Sequence, residues 1–171
     1  MIGIDPGVRA GAIAHIELTV SGAPVVKKVW DMPSEFGANK IDRAGLWNIL
    51  IALQCRQFVI EKQTPFAKAA SKTSFAHGEG YGVLQGLLFA LKERARIEGG
   101  ESVVEHYVDP KDWKRQLQIP SAKDRAGRKS KSRTKAAQIF SPEDCERWPN
   151  AGHDGRWEAA LLGYWRERFC R

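Results

Sequence analysis

The sequence contains few cysteines and no long apolar run. The three cysteines are Cys55, Cys145 and Cys170, and no two of them form a CxxC pair. This spacing argues against a structural zinc site or a disulfide framework, so we expect free thiols. Apolar runs such as residues 87–91 fall well below the roughly 18 residues that a membrane-spanning helix needs. The first predicted strand begins at residue 2, which argues against a signal peptide, and we expect an intracellular protein.

Internal repeats are also absent, and the only compositionally biased tract is one basic segment. The chain has 171 residues, of which 43% are hydrophobic and 27% are charged. This composition is ordinary for a globular protein with a sizeable core. We therefore predict a single domain over residues 1–171.

Strand and helix patterns follow one another along the whole chain. Short apolar runs between turn residues predict strands at 1–5, 11–18, 24–31, 57–61 and 103–108. Periodic apolar residues predict helices from the candidate N-cap Asp42 to Leu53, at 81–97, just after Pro110, at 133–140 and at 154–169. The stretches 64–80 and 120–131 are predicted to be loops, the second of them exposed and mobile. Parallel pairing of the first and fourth strands would give an α/β fold, a mixed five-stranded sheet with helices on both faces.

Four acidic residues stand where buried apolar segments end or a helix begins. Asp5 lies between an apolar strand and a Pro-Gly turn, and Glu61 closes the fourth strand. Neighbouring parallel strands would bring both carboxylates to one edge of the sheet. Asp154 and Glu158 are four residues apart on a predicted helix, about 40° apart around its axis, so they share a face.

Two hard divalent ions about 4 Å apart need such a set of carboxylates, which could activate a water and stabilise the leaving oxygen of a phosphodiester. We therefore predict Asp5, Glu61, Asp154 and Glu158 to be catalytic residues and metal ligands. Taken singly, each acid is equally well explained as a turn cap or a surface charge. His153 is a further candidate, as a ligand or a proton shuttle, with an exposed histidine as the alternative.

The positive charge of the chain is concentrated in residues 111–135. That segment carries ten Lys or Arg and two Asp, whereas the rest has 17 basic and 18 acidic residues, within a total of +7. A concentrated basic block next to an acidic cluster is typical of a surface for phosphate backbones. Lys114 and Lys135 flank the predicted loop and are the best-anchored candidate contacts. The predicted DNA-binding residues are Lys114, Arg115, Lys123, Arg125, Arg128, Lys129, Lys131, Arg133 and Lys135.

Two aromatic residues lie in the polar stretch after Glu61. Phe66 and Phe75 are poorly explained by a core at that place in the sequence. They could stack on unpaired bases at a branch point, or they could pack locally within the predicted loop.

The sequence resembles the RuvC-like Holliday junction resolvases, within the RNase H-like superfamily, and especially their shorter phage-type members. The resemblance extends along essentially the whole chain. Gly-Ile-Asp-Pro-Gly alone is only moderately specific, because phosphate-binding turns of actin-like ATPases look similar, but the ordered set of motifs is much more specific. The motifs are Gly3-Ile4-Asp5-Pro6-Gly7, Ile60-Glu61, Gly80-Tyr81-Gly82 with Gln85-Gly86, Asp109-Pro110-Lys111-Asp112-Trp113-Lys114 and the helix from Asp154 to Leu162.

This resemblance implies a homodimeric endonuclease that nicks opposing strands of a four-way DNA junction in recombination and repair. It implies two Mg²⁺ ions per active site, with Mn²⁺ able to substitute. It also implies work on DNA in the cytoplasm of a bacterium or a phage-infected host cell, at the nucleoid. Asp5 and Glu61 match the first and second catalytic acids of the family.

The last helix departs from the family pattern. The cellular resolvases usually carry two acids three residues apart there, whereas Trp157 stands three residues after Asp154. Glu158 is one residue further, still on the same face, so both acids are assigned as ligands. Which of the two binds metal directly is left open.

Three other functions remain open from the sequence. A nuclease of the same fold could act on forks, flaps or RNA–DNA hybrids, and a catalytically silent relative could only bind junctions. An actin-like sugar kinase or ATPase would need a second phosphate-binding turn and a second domain, for which 171 residues leave little room.

Overall fold

The computed structural model of this chain describes residues 1–36, 40–53, 55–63, 71–121, 125–146 and 154–170. Within these ranges, the side chains of residues 71–73, 125, 126, 128 and 129 are left undescribed.

One mixed sheet of five strands forms the centre of the described structure. The strands are β1 (Ile2–Asp5), β2 (Ala12–Leu18), β3 (Pro24–Asp31), β4 (Gln57–Glu61) and β5 (Val104–Val108). Their order across the sheet is β3-β2-β1-β4-β5. β1, β4 and β5 run parallel to one another, whereas β2 is antiparallel to both β1 and β3. The carboxyl ends of β1, β3, β4 and β5 therefore lie at the same edge of the sheet.

Helices cover both faces of this sheet, as the sequence predicted. Alternate strand residues enter two separate cores: Ile2 and Ile4 pack with α1 and α2, whereas Val59 and the small residues of β2 pack with α6. Asp42 caps α1, accepting a hydrogen bond of 3.0 Å from the Gly45 amide. The helices are α1 (Arg43–Ala52), α2 (Ser71–Ile97), α3 (Pro110–Gln116), α4 (Arg125–Ile139), α5 (Pro142–Glu146) and α6 (Asp154–Phe169).

Helix α6 packs unusually close to the sheet because the facing residues are small. A Cβ atom at Gly3 would overlap the carbonyl oxygen of Ala159 in α6. A Cβ at Gly155 would overlap the carbonyl oxygen of Ala10, in the turn between β1 and β2. Backbone against backbone packing at these positions brings the first turns of α6 next to the carboxyl end of β1.

Two predicted loops are wrong in part. Helix α2 begins at Ser71 instead of residue 81, and α4 begins at Arg125, within the stretch predicted to be a mobile loop. Gly78, Gly80 and Gly82 disfavour a helix by local propensity, but Gly80 packs against the Val8 side chain, so a tertiary contact supports the helix there.

The described buried residues of α4 are few and small, so the sequence shows no periodic apolar pattern that would predict the first half of this helix. Ser132, Ala136 and Phe140 are buried at four-residue spacing along one side of α4 and its C-terminal end. The helix packs on α6 through this narrow stripe, whereas its first half is almost entirely basic or polar. No helix in the described ranges is both long and apolar enough to cross a membrane.

Candidate active site

Asp5 and Glu61 are neighbours at the carboxyl edge of the sheet, where the sequence analysis expected them. β1 pairs with β4 in parallel, with Ile4 opposite Ile60, so the two acids are the next residues of adjacent strands. Because side chains alternate along a strand, both carboxylates point to the face covered by α6, opposite to the face of Ile4 and Ile60.

Helix α6 supplies the third carboxylate of this site. The Glu158 Oε1 atom accepts hydrogen bonds from Lys114 Nζ at 2.8 Å and from Ser132 Oγ at 2.9 Å. The same ammonium lies 3.9 Å from Glu61 Oε2. Asp5, Glu61 and Glu158, which interact electrostatically with one another, form what we call the acid cluster.

Asp154 lies one turn before Glu158 and is bound by a different cation. Asp154 is only 5% exposed, and its Oδ1 atom accepts a hydrogen bond of 2.9 Å from Arg133 Nη2 of α4. The four-residue spacing on α6 places both acids on one side of the helix, next to the residues that touch the sheet. Glu158 is the one that shares its counter-ion with Glu61.

Burial makes the acid cluster costly to ionise. Burial, followed by repulsion from Glu61 and Glu158, holds the pKa of Asp5 well above its usual range, although Lys114 and a hydrogen bond from the Gly7 amide act against this. Burial likewise raises the pKa of Glu61 to about 7, against the opposing effects of Lys114 and of the indole of Trp113. Raised carboxylate pKa values in a group at the edge of a sheet are typical of functional sites.

Lys114, a predicted DNA-binding residue, lies beside the carboxylates of the site. Its side chain is 24% exposed, and its ammonium contacts Glu158 and Glu61. Burial lowers the pKa of Lys114, but attraction to Glu61, Glu158 and Asp5 outweighs this and raises the pKa overall. In this structure Lys114 is a counter-ion of the acid cluster.

Sequence reasoning missed the residues that hold the carboxylates in place. Trp113 Nε1 donates a hydrogen bond of 2.9 Å to Glu61 Oε2, and Ser132 binds Glu158. The signal for Trp113 and Lys114 was available: Asp109 caps a short helix with Pro110 in its first turn, directly after β5, so α3 begins at the same edge of the sheet. No pattern in the sequence pointed to Ser132, which lay between the predicted loop at 120–131 and the predicted helix at 133–140.

The donor set of the acid cluster fits a hard divalent cation. Carboxylate oxygens are the ligands that Mg²⁺ and Mn²⁺ prefer. A cation, the Lys114 ammonium, already lies against two of the three carboxylates. With the side chains as placed, no three His, Cys, Asp or Glu residues of the described ranges stand close enough together to hold an ion.

Several of the predicted DNA-binding residues have local partners within the protein. Arg115 pairs with Asp112 at 3.1 Å, and Lys131 donates a hydrogen bond of 2.5 Å to the Ser121 carbonyl. Arg133 pairs with Asp154, and Lys135 is half-buried. The side chains of Arg125, Arg128 and Lys129 lie on α4 but are not described, and Lys123 lies outside the described residues.

The aromatic candidates and His153 have different outcomes. Phe75 is 74% exposed near the start of α2 and does not pack into a core. Because α2 follows β4, its start lies toward the carboxyl edge of the sheet. Phe66 and His153 lie outside the described residues.

A second ion pair fixes α6 at this edge of the sheet. Arg156 donates two hydrogen bonds of 2.6 Å to the carboxylate of Asp31, the last residue of β3. The bidentate geometry orients the first turn of α6, which carries Asp154 and leads into Glu158. The site is thus assembled from β1, β3, β4, α3, α4 and α6.

No known protein-family profile matches this chain. No curated protein sequence matches it significantly either. The three-dimensional fold of the chain does match solved structures.

Several solved structures share the fold over nearly the whole chain. RuvC of T. thermophilus in complex with Holliday junction substrate matches with a TM-score of 0.62 and 12% identity, over 98% of this chain and 94% of that one. The yeast mitochondrial Holliday junction resolvase Ydc2 matches with a TM-score of 0.64 and 13% identity, over 96% of this chain and 77% of that one. T. thermophilus RuvC in a further structure matches with a TM-score of 0.57 and 15% identity, over 98% and 94%. This chain therefore has the RNase H-like fold of RuvC and Ydc2.

Proposed function

We propose that this protein is a Holliday junction resolvase, a metal-dependent endonuclease that nicks branched DNA symmetrically. The observation that carries the proposal is the acid cluster: Asp5, Glu61 and Glu158 come from three separate elements to one edge of an RNase H-like sheet. Asp154 lies one turn away on the same side of α6. The fold is the one found in two resolvases, which supports a phosphodiester as the substrate of this site.

In the proposed reaction, Asp5, Glu61 and Glu158 would hold divalent cations, with Asp154 completing the set. Two Mg²⁺ ions held there, or Mn²⁺ in their place, would supply activation of the attacking water and stabilisation of the departing 3′ oxygen. Trp113 and Ser132 fix the orientation of Glu61 and Glu158 through hydrogen bonds of 2.9 Å each. Such fixed carboxylates reduce the reorganisation that the site needs when the phosphate arrives.

The substrate we propose is a four-way or otherwise branched DNA. Positive charge in residues 111–135 supports contacts to several phosphates, because the segment contains ten of the 27 Lys and Arg residues. It includes the basic first half of α4, a helix that packs on α6 and leads directly to Ser132 and Arg133 at the site. Phe75, exposed toward the same edge, is available to stack on an unpaired base.

We further propose that the active form is a homodimer, since symmetric nicking needs two active sites. The side of α2 opposite its core residues carries glycines with open space around them, spaced four residues apart, with the exposed Phe89 beside them. Small residues at this spacing let two helices approach closely, and the Phe89 ring supplies apolar area. The stripe, which we call the α2 glycine face, comprises Gly78, Gly82, Gly86 and Phe89.

Within the resolvases, we propose a phage-type protein that acts in the bacterial or phage-infected cell, in the cytoplasm at the nucleoid. The support is the ordered set of sequence motifs and the four-residue spacing of Asp154 and Glu158, which differs from that of the cellular enzymes.

The decisive experiment is cleavage of a labelled four-way junction by the purified protein with Mg²⁺. We expect paired nicks at symmetric positions, and at least about a 100-fold loss of rate in Asp5→Asn, because removing a metal ligand costs more than removing a supporting partner. Glu101→Gln, at an exposed position before β5, is the matched control and should cleave normally. An inactive wild type, or full cleavage by Asp5→Asn, would refute the proposal.

The same assay separates the junction from other branched substrates. Forks, flaps, linear duplex and RNA–DNA hybrid are compared with the junction at equal concentration. A resolvase cleaves the junction fastest and leaves linear duplex intact. Equal rates on forks and flaps would instead indicate a general branched-DNA nuclease.

A further inference from the structure

The ammonium group of Lys114 lies against carboxylate oxygen atoms that a metal ion would bind. Lys114 Nζ donates to Glu158 Oε1 at 2.8 Å and lies 3.9 Å from Glu61 Oε2. It also interacts electrostatically with Asp5. Only 24% of the Lys114 side chain is exposed. A lysine side chain held mostly out of solvent is expected to be paired with negative charge.

The charge balance of these groups is incomplete. When all three carboxylates of the acid cluster are ionised, the single ammonium leaves two negative charges without a counter-ion among these four groups. A divalent cation matches that remaining charge, but it must bind the same oxygens and would then stand beside the ammonium. The ammonium would add a further positive charge a few Å from any bound ion, and this repulsion weakens metal binding even at the effective dielectric of a protein.

The carboxylates do not depend on Lys114 alone for their orientation. Trp113 binds Glu61 Oε2 at 2.9 Å, and Ser132 binds Glu158 Oε1 at 2.9 Å. Both donors are neutral, so neither repels an incoming cation. If the ammonium leaves, these two hydrogen bonds still hold Glu61 and Glu158.

We propose that Lys114 is a built-in counter-ion of the metal-free site, which a divalent cation must displace in order to bind the acid cluster. Lys114 is thus a positioning residue that acts through the carboxylates and lowers the metal affinity of the protein alone. Displacement frees an ammonium next to the metal, where a DNA phosphate would provide its new partner. Metal and DNA phosphate therefore bind cooperatively: the phosphate stabilises the displaced form that the metal needs. This inference rests on the proposed function.

The test is calorimetric titration of the DNA-free protein with Mg²⁺ at pH 8, above the pKa of about 7 of Glu61. The variants are Lys114→Met, which removes the charge and keeps the length, and Lys114→Arg, which keeps the charge. Lys111→Met is the control, since Lys111 is exposed on the same short helix. We expect Lys114→Met to bind Mg²⁺ at least about tenfold tighter than the wild type, because it removes a unit charge close to the ion. Lys114→Arg should bind no tighter than the wild type, and Lys111→Met should equal it.

Equal or weaker Mg²⁺ binding by Lys114→Met overturns the inference. That result would show that the Lys114 ammonium does not compete with Mg²⁺ for the carboxylates. If the wild type binds Mg²⁺ and cleaves junctions but Lys114→Met binds no tighter, only this inference fails. If the wild type binds no divalent cation, the inference fails together with the metal dependence of the proposed function.

A second measurement uses the wild type and so does not depend on the folding of Lys114→Met. Selectively labelled lysine gives side-chain NMR signals, and comparison with Lys114→Arg identifies that of Lys114. We expect this signal to move to the position of a solvated lysine as Mg²⁺ saturates the site. A Lys114 signal that stays unchanged at saturation overturns displacement.

Discussion

At the scale of single residues, the acid cluster combines carboxylates that burial disfavours with neutral donors that keep them in place. Asp5 and Glu61 have raised pKa values because they are buried near further negative charge. The folded protein therefore retains protons on these groups at pH values where the unfolded chain has already released them. A pH dependence of stability follows directly from this difference.

We expect the stability of the metal-free protein to fall as the pH rises from about 4.5 to about 7. Over this range the folded state holds more protons than the unfolded state, since Glu61 titrates at about 7 in place of 4.5. The slope of the unfolding free energy against pH is then negative, with a total change on the order of 1–3 kcal/mol. Urea unfolding in EDTA at several pH values measures it.

Glu61→Gln removes the titrating group and should flatten this pH profile, whereas the exposed control Glu101→Gln should leave it unchanged. Saturating Mg²⁺ should raise the stability of the wild type most at high pH, where the metal replaces the missing protons. A wild-type stability that rises steadily between pH 5 and 7 would contradict the assignment.

At the scale of elements, the position of α6 decides whether the site exists. Gly3 in β1 and Gly155 in α6 allow backbone atoms of the sheet and the helix to touch. The Arg156–Asp31 pair then orients the first turn. Because Glu158 lies one turn further on α6, an outward shift of the helix would separate it from Asp5.

Gly155→Ala should therefore lower both stability and cleavage. A Cβ at this position would overlap the Ala10 carbonyl oxygen, and overpacking of this kind typically costs about 1–3 kcal/mol. Chemical unfolding measures the stability. The rate of junction cleavage measures the loss of activity that we expect when Glu158 is displaced.

Gly100→Ala is the matched control, because an added Cβ at the exposed Gly100 would make only an ordinary contact of 3.7 Å with the Ala95 carbonyl oxygen. There the added methyl should leave the stability unchanged or raise it by up to about 1 kcal/mol. A Gly155→Ala protein as stable and active as the wild type would show that α6 does not need this close contact.

The α2 glycine face carries the proposal of a homodimer. Gly82→Arg places a long charged side chain in the middle of this face, so we expect it to convert the dimer to a monomer. Light scattering after size-exclusion chromatography measures the mass. Ser102→Arg adds the same side chain at an exposed position before β5, outside this face, and should remain dimeric. If Gly82→Arg remains dimeric, the dimer interface lies elsewhere.

At the scale of the whole molecule, negative charge is concentrated in the acid cluster, and positive charge is concentrated in the segment proposed to bind DNA. The acid cluster repels a phosphate backbone, and residues 111–135 hold the entire positive excess of the chain. Counterion release from DNA then makes binding depend steeply on salt.

Neutralising Arg125, Arg128 and Lys129 together should reduce this salt dependence. Each lost phosphate contact lowers the slope of log K against log salt by about 0.9 on duplex DNA, so three contacts lower it by up to about 3. Junction binding by inactive Asp5→Asn, measured at several salt concentrations, gives the slope. Neutralising Arg94, Arg96 and Lys92 at exposed positions late in α2 is the matched control. An unchanged slope in the first variant would exclude the start of α4 from the DNA contact.

Local sequence determined most of the fold. Alternating apolar residues, Pro-Gly and Ser-Gly turns and the Asp42 cap were enough to predict five strands within a residue of their observed bounds. The parallel pairing of β1 and β4, on which the predicted fold depended, is the one observed. Asp5 and Glu61 followed from the same reasoning, because an acid directly after a buried strand has a defined location once the strands pair. The helical start of α2 and the first half of α4 were not predictable, because their glycines and basic residues do not favour a helix locally and packing on Val8 and on α6 decides the outcome.

Only the tertiary structure decided which groups share the site. The sequence by itself determined the acidic residues, the sheet edge that carries Asp5 and Glu61, and the basic block. It did not show that Lys114 turns inward to the acid cluster, that Trp113 and Ser132 orient the carboxylates, or that Arg133 binds Asp154. These partners are 21 to 52 residues apart along the chain. Contacts at such separations depend on how closely α6 meets the sheet, which three-dimensional packing sets and no local pattern records.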